Sequence, residues 1–333
     1  MQRILVIQTA FIGDVVLATG ILEKLHQFYP ESYIDILVRK GNEALFNEHP
    51  FIHQVLIWNK QNNKYRHLLK VLKQIRANQY QLVINLQRFA ATGFLTAFSG
   101  AVKKIGFDKN PFSFLFTERI KHIISNGKDY IHEIQRNQSL IAVITDEIAA
   151  KPVLYPSSAD KQIAEQWVQG SPFICIAPAS VWFTKQYPEH KWIELLNELP
   201  EHFTIYLLGA PGDKNLCDRL IQNSPQKNIH NLCGKLGFLA SAALMQKAVM
   251  NYVNDSAPLH FASAVNAPVT AIYCSTLPAF GFGPLSIKSH IVENKEQLSC
   301  RPCGLHGKKA CPQKHFNCAN TIQVNQLLAV LNQ

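Results

Sequence analysis

Short apolar runs alternate with amphipathic stretches along the first half of the chain. Four runs rich in Val, Ile and Leu predict strands, approximately at residues 3–8, 33–38, 53–58 and 81–86. Between them, the spacing of apolar residues at 14–28 and 64–78 predicts helices. Strands that alternate with helices form parallel sheets covered by helices, so the first half is expected to be an α/β domain.

The second half repeats this rhythm after a segment rich in proline and small polar residues. Strands are predicted approximately at residues 173–178, 204–209, 251–255 and 268–273. The segment "AAKPVLYPSSADKQ" between the halves is typical of a connector. We therefore expect a first domain over 1–155, a second domain over 156–318, and a C-terminal helix over 319–333 that packs back on the first domain.

The composition is that of a folded globular protein, with 47% apolar and 17% charged residues. Residues 1–20 lack the cleavage site of a signal peptide, and Asp14 interrupts their apolar run. No apolar stretch reaches the length of about 18 residues that a membrane-spanning helix needs, so we expect a cytoplasmic protein. The formal charge of +10 indicates an anionic partner or surface without identifying it.

Polar residues follow several of the predicted strands, at the edge where parallel sheets bind ligands. Gly13 is predicted to form a turn after the first strand, with Asp14 on that turn, where a G-x-G-x-x-G loop is absent and a carboxylate stands instead. In the second half, Lys185, Asp213 and Asp255 follow three different strands. Singly, the two aspartates are also typical helix caps and the lysine is typical of a protein surface. Together they predict a phosphate-binding crevice.

The segment "NDSAPLHFASA" has the features of a helix start that binds phosphate. Ser256 and Ala257 are small, and Pro258 is tolerated in the first turn of a helix. Small residues leave the backbone N–H groups open to a ligand, and the helix dipole favours negative charge there. Lys185 would supply the matching positive charge.

Four segments of the chain resemble the bacterial lipopolysaccharide heptosyltransferases of glycosyltransferase family 9. These segments are "IGDVVLATGIL", "PASVWFTKQYP", "LLGAPGD" and "NDSAPLHFASA". The resemblance extends over nearly the whole chain. It implies the GT-B fold, in which two Rossmann-like domains face each other across a cleft. It also implies an inverting transfer of heptose from ADP-heptose to the lipid A-linked inner core of lipopolysaccharide. The family usually has proline where Gly20 stands, glycine where Ala257 stands, and often tryptophan where Tyr187 stands.

The resemblance implies roles for the residues at the strand ends. Asp14, with Gly13 in the acceptor site, matches the family's general base, and the mechanism needs no metal ion. Lys185 matches the lysine that neutralises the donor phosphates, and Asp213 matches the acidic residue that contacts the ribose. The donor site implied in this way contains Ser180, Thr184, Lys185, Asp213, Asp255, Ser256, Ala257 and His260.

A cysteine cluster lies near the C-terminus, in the tail segment 300–318 of the second domain. Its members, separated by two, seven and six residues, are Cys300, Cys303, Cys311 and Cys318. Four thiolates that begin with C-x-x-C are able to bind structural zinc, and His306 or His315 is able to replace one of them. The spacing differs from that of a zinc ribbon, so thiols or partial bridges that hold a loop are the favoured interpretation.

Residues 64–76 predict a helix with two different faces. The apolar stripe contains Tyr65, Leu68, Leu69, Leu72 and Ile75, whereas a second face carries Arg66, Lys70 and Lys73. The basic face is either a solvated surface or a peripheral contact with the inner membrane, where the family's anionic lipid-linked acceptor lies.

Two other functions stay open on the sequence. The nearer one is a GT-B enzyme that uses another nucleotide sugar for cell-surface glycan synthesis, because sugar choice depends on a few hydroxyl contacts. The remote one is a basic nucleic-acid-binding protein that ends in a cysteine-rich knuckle. We expect no nucleic-acid partner, since basic and aromatic residues do not interleave as in RNA-binding proteins.

Overall fold

The computed structural model describes residues 2–61, 63–124, 130–168 and 170–332. These residues form two compact units. The first contains the described residues up to 124 together with Ile131–Tyr155, and the second contains Tyr130 and the residues from Pro156 onward. Within those ranges, no helix is both long and apolar enough to cross a membrane.

The first unit is built on one parallel sheet. Its strands are β1 (Arg3–Ile7), β2 (Tyr33–Arg39), β3 (Ile52–Trp58), β4 (Leu82–Asn85), β5 (Lys103–Phe107) and β6 (Glu118–Ile120). They lie in the order β3-β2-β1-β4-β5-β6. The helices are α1 (Ile12–Phe28), α2 (Lys64–Ala77), α3 (Ala90–Ala97) and α4 (Glu133–Gln138), with 3₁₀ turns at Glu43–Phe46 and Ser113–Leu115. The central strands are nearly all apolar because they are buried on both faces.

The second unit has a parallel sheet of the same kind. Its strands are β7 (Phe173–Ala177), β8 (Thr204–Leu207), β9 (Ile229–Asn231), β10 (Met250–Asn254), β11 (Val269–Tyr273) and β12 (Ser289–Glu293), in the order β12-β11-β10-β7-β8-β9. Its helices are α5 (Ser158–Glu165), α6 (Glu189–Glu198), α7 (Lys214–Gln222), α8 (Phe238–Lys247), α9 (Ala257–Ala264), α10 (Asn317–Asn320) and α11 (Val324–Leu328). The 3₁₀ turns are Phe183–Lys185, Pro211–Asp213, Pro278–Phe280 and Ala329–Asn332.

Both sheets have the doubly wound strand order, in which the chain first builds outward in one direction and then in the other. The order reverses between β1 and β4 in the first sheet and between β7 and β10 in the second. Loops that leave the carboxyl ends of two such strands diverge, which opens a crevice for ligands at this switch point. The segments after β1, β7 and β10 carry Asp14, Lys185 and Asp255, and Asp213 follows β8.

The eight strands expected from apolar runs are all present, each within two residues of the expected bounds. The sequence patterns did not predict β5, β6, β9 and β12. Three of these four, β6, β9 and β12, are edge strands. Edge strands tolerate charged and polar residues because one side faces no further strand, so they lack the continuous apolar run of a central strand.

The C-terminal segment, expected to be one helix over 319–333, is divided into shorter elements, and its packing on the first domain stays a prediction. The described residues form α10, α11 and a 3₁₀ turn, and the side chains of Ile322, Val324 and Leu327 are buried in the core of the second unit. Two buried hydroxyls hold the segment there. Tyr187 donates to the carbonyl oxygen of Ile322 (3.1 Å), and Tyr252 donates to that of Leu327 (2.9 Å).

The expected apolar stripe of α2 is only partly correct. Leu68 and Ile75 are buried, and Val71 is buried beside them. Tyr65 and Leu69 are instead 74% and 58% exposed. The buried face is therefore narrower than the spacing of apolar residues indicates, and two apolar side chains lie among the basic ones.

Candidate active site

Asp14 lies in the first turn of α1, directly after the central strand β1. The sequence predicted a turn at Gly13 before the helix. The helix instead begins at Ile12, so Gly13 lies inside it. The N-cap residue is Phe11, whose side chain makes no capping hydrogen bond. Asp14 is therefore not the N-cap of α1. A carboxylate in a first turn is favoured by the helix dipole, typically by about 0.3–1 kcal/mol at a surface.

Two cations lie at the same edge of the first sheet. The guanidinium of Arg39, at the end of β2, lies 4.7 Å from the centre of the Phe11 ring. Burial lowers the pKa of Arg39, and the negative charge of Asp14 opposes that shift. Lys60 follows β3 and donates to the carbonyl oxygen (2.6 Å) and the hydroxyl (3.1 Å) of Thr9. Burial and the charges of Arg39 and Lys64 lower the pKa of Lys60 to about 8.

Lys185 and Asp255 form an ion pair at the switch point of the second sheet. Their loops follow β7 and β10, which are hydrogen-bonded neighbours with Ala177 opposite Val253. The Lys185 ammonium lies 2.7 Å from Oδ2 of Asp255, and both side chains are largely buried. The Thr276 hydroxyl donates to the same oxygen at 2.6 Å. The carboxylate is therefore held from two sides, and it fixes the direction of the lysine.

The start of α9 comes immediately after Asp255. Ser256 is the N-cap residue, yet its side chain makes no capping bond, because its hydroxyl turns back toward the carbonyl oxygen of Asn254 (3.4 Å). The next residue, Ala257, begins the helix. An N-terminus without a side-chain cap presents N–H groups and the positive end of the dipole to an anion. His260 is buried in the same helix, with its ring centre 6.4 Å from that of Phe282.

Asn254 is a structural residue of the site that the sequence analysis missed. It is fully buried at the end of β10. Its amide group donates to the carbonyl oxygen of Pro178 (2.7 Å), and its Oδ1 accepts from the N–H of Tyr187 (2.8 Å). Both ends of the loop that carries Lys185 are thereby tied to β10. The only sequence signal is a polar residue at the end of a buried strand, a signal that Asn251 of the same strand shares.

Thr184 belongs to the donor site that the resemblance implies, but its surroundings in the structure favour a structural role. The residue is fully buried, and its hydroxyl oxygen is engaged with Ser275 (2.9 Å) and with the N–H of Lys308 (2.8 Å). Ser180 lies earlier in the same loop, where its carbonyl oxygen accepts from the side chain of Gln186 (2.6 Å).

Asp213 ends the 3₁₀ turn that precedes α7. Its Oδ2 accepts from the N–H of Ala210 (2.8 Å), so the carboxylate stabilises the turn after β8. A Cβ on Gly209 would lie 2.9 Å from the same oxygen, which shows how closely the turn is packed. Asp213 therefore caps the 3₁₀ turn, and its contact with the ribose stays a prediction.

The cysteine cluster consists of free thiols, as do the other four cysteines. Sγ of Cys300 lies 4.0 Å from Nε2 of His315. Burial and the neighbouring thiols Cys300 and Cys311 raise the pKa of Cys303. Within the described ranges, no group of three or more His, Cys, Asp or Glu side chains is arranged to hold a metal ion.

Comparison with known proteins agrees with this geometry. The sequence profile of glycosyltransferase family 9 (heptosyltransferase) matches residues 68–314. Lipopolysaccharide heptosyltransferase 3 of Escherichia coli K12 is 27% identical over 282 residues, covering 79% of this chain and 80% of that protein.

Two solved structures are also similar. The family 9 glycosyltransferase of Veillonella parvula has a TM-score of 0.83 at 19% identity, covering 99% of this chain and 97% of that one. The E. coli heptosyltransferase WaaC, solved with ADP-2-deoxy-2-fluoro heptose, has a TM-score of 0.74 at 16% identity and covers 99% of both chains. With the family profile matching more than half of the sequence, this chain belongs to glycosyltransferase family 9 and has the GT-B fold.

Proposed function

We propose that this chain is an inverting heptosyltransferase that transfers heptose from ADP-heptose to the lipid A-linked inner core of lipopolysaccharide. The observation that carries the proposal is the Lys185–Asp255 ion pair next to the uncapped start of α9. Family membership supports glycosyl transfer. The E. coli relative named as a lipopolysaccharide heptosyltransferase supports the sugar and the acceptor, and the WaaC complex supports the nucleotide.

The donor site is assigned to the second unit because its charges suit a diphosphate. Lys185 supplies a fixed positive charge, and the start of α9 supplies N–H groups at Ser256 and Ala257. Asp255 keeps the lysine directed toward this helix start and is assigned to the donor sugar. Asp213 is assigned to the ribose. Ser180 and His260 belong to the same loop and helix and are assigned supporting contacts with the donor.

In the proposed reaction the acceptor hydroxyl attacks the anomeric carbon of the donor while Asp14 takes its proton. The new C–O bond forms as the bond from the anomeric carbon to the phosphate oxygen breaks, and ADP leaves with the electron pair. Attack opposite the leaving group inverts the anomeric centre. Lys185 stabilises the charge on the departing ADP, so no metal ion is required.

The acceptor is assigned to the first unit, where the charges suit an anionic sugar. Arg39 interacts with the charge of Asp14, and Lys60 binds the Thr9 end of the same loop. Two cations at this edge of the sheet favour the approach of an acidic acceptor.

Contact with the inner membrane is assigned to α2, as part of a cytoplasmic, peripheral location. Its outer face borders a shallow open cavity of about 570 Å³ that is lined by Asn63, Arg66, His67, Leu69, Lys70 and Lys73. Lys70 and Lys73 are exposed, and the exposed Tyr65 and Leu69 add apolar area. Cations with interspersed apolar side chains suit the headgroup region of an anionic leaflet.

The test of this function is a donor panel. The purified chain is incubated with a heptose-free lipid A-linked core acceptor and with ADP-heptose, UDP-glucose or GDP-mannose. The mass of the product is then measured by mass spectrometry. We expect one heptose to be added from ADP-heptose alone, and ADP to raise the unfolding midpoint more than UDP or GDP. Transfer from a UDP- or GDP-sugar without transfer from ADP-heptose would leave a glycosyltransferase but refute the heptose assignment.

A further inference from the structure

Residues 301–308, which we call the strap, contact the loop that holds the Asp255 carboxylate. The guanidinium of Arg301 donates to the carbonyl oxygen of Thr276 at 2.8 Å. Two residues on, the N–H of Cys303 donates to the carbonyl oxygen of Ser275 at 2.9 Å. The first half of the strap therefore fixes the loop after β11, including the threonine that binds Asp255.

The other end of the strap bonds the loop that carries Lys185. The N–H of Thr184 donates to the carbonyl oxygen of Lys308 (3.1 Å), and the N–H of Lys308 donates to the hydroxyl oxygen of Thr184 (2.8 Å). Ser275 bonds the same hydroxyl at 2.9 Å. Because Thr184 is fully buried, water cannot replace these bonds at low cost if one partner is removed.

Gly307 brings the backbone of the strap against the lysine itself. A Cβ at this position would lie 2.9 Å from Cγ of Lys185 and 3.1 Å from the Thr184 hydroxyl oxygen. The backbone of Gly307 also has a φ of +75°, which side chains rarely adopt. The aliphatic part of Lys185 is thus confined between the strap and the ion pair with Asp255.

We propose that the strap is a positioning element of the donor site, in which Gly307 and Thr184 hold the ammonium of Lys185 against Asp255. The cysteine-rich tail then contributes to catalysis through the lysine and not through its thiols. Neither Gly307 nor Thr184 is assigned a contact with the donor. This role rests on the proposed function, because it assumes that Lys185 binds the donor diphosphate.

Gly304 provides a matched control on the same strap. It also has a positive φ of +90°, but a Cβ there would meet nothing within 4 Å. Gly304→Ala therefore introduces comparable backbone strain without touching Lys185. We expect Gly307→Ala to lower kcat/KM for the donor about tenfold to a hundredfold and to weaken ADP binding in calorimetry, while Gly304→Ala changes neither. Equal effects of the two substitutions would overturn the positioning role.

A double substitution shows whether the effect passes through the lysine. On a Lys185→Ala background, Gly307→Ala should cause little further loss, because the displaced group is already absent. Full additivity would contradict the proposal. Thr184→Val should lower kcat/KM. Thr184→Ser should keep kcat/KM near the wild-type value, since serine keeps the hydroxyl. A serine variant as impaired as the valine variant would also overturn the role of this hydroxyl.

A ligand-free measurement separates this inference from the proposed function. Acetic anhydride acetylates exposed lysines, and the rate at Lys185 is read by peptide mass spectrometry. The rate should rise in Gly307→Ala and stay at the wild-type value in Gly304→Ala, whatever the donor is. An unchanged rate in both would refute the strap. If the rate rises but ADP does not bind the wild-type chain, the strap stands and the proposed donor fails.

Discussion

The ammonium of Lys185 lies 2.7 Å from a carboxylate oxygen of Asp255, although the two residues belong to loops after different strands. The pair exists because β7 and β10 are neighbours at the point where the strand order of the second sheet reverses. The same reversal lets the start of α9 open beside the pair. The topology of the sheet together with two side chains thus brings a positive charge beside an open helix start.

The first prediction concerns this lysine. Lys185→Ala should lower kcat by about a hundredfold or more and weaken ADP binding, because the charge on the departing diphosphate is then stabilised only by the helix start. Lys191→Ala is the control, since Lys191 is also an ion-paired, largely buried lysine, bonded to Glu194 on α6. Steady-state kinetics and calorimetry check both. Equal loss in the two variants would show that Lys185 has no special part in donor use.

The sequence singled out Lys185 and Asp255 because each lies at or after the end of a predicted strand, and the resemblance supplied their roles. The sequence did not identify the residues that contact Lys185 and Asp255. Thr276 and Gly307 come from distant parts of the chain and have no local pattern that marks them. Asn254 is one of two asparagines in β10, and a polar residue in a strand does not by itself show which groups it binds.

The first unit shows the same limit of sequence patterns. The apolar residues of α2 have helical spacing, yet Tyr65 and Leu69 are exposed because only one narrow face of the helix meets the sheet. The short strand β6 is an edge strand with the sequence Glu-Arg-Ile, which no apolar run announces. Gly13 was expected to form a turn, but the helix already begins at Ile12.

Chelation tests the prediction of metal-free transfer. Turnover should persist after dialysis against EDTA, because Lys185 supplies the positive charge that a divalent cation would otherwise bring to the diphosphate. The metal content of the dialysed protein is measured in parallel. Loss of turnover that is restored by adding back one divalent metal would refute this mechanism.

Charge reversal on α2 tests the membrane contact. Lys70→Glu with Lys73→Glu should weaken binding to vesicles that contain anionic lipid, since each exposed cation near such a surface contributes about 1 kcal/mol. Neutral vesicles should show no difference. Lys161→Glu with Lys227→Glu, at two exposed positions of the second unit, serves as the control for net charge. Vesicle sedimentation gives the partition coefficients, and equal weakening by the control would exclude a specific role of α2.

The pH dependence of acceptor use tests Lys60. Burial and the charges of Arg39 and Lys64 lower its pKa to about 8, so its positive charge is present below that pH and is lost as the pH rises through it. We expect kcat/KM for an anionic acceptor to fall above about pH 8 in the wild-type chain. Lys60→Arg keeps its charge and should remove this fall. Identical pH profiles for the two proteins would show that Lys60 does not bind the acceptor.

The general base is the central claim, and Asp14→Asn tests it most directly. Asparagine keeps the size of the side chain, and the loss of charge in the first turn of α1 should cost no more than about 1 kcal/mol of stability. The substitution lies in the first unit, so ADP binding should be unchanged. Measured with saturating donor and acceptor, kcat should fall about a hundredfold or more. A fall of less than about tenfold, with ADP binding intact, would contradict the assignment of Asp14 as the general base.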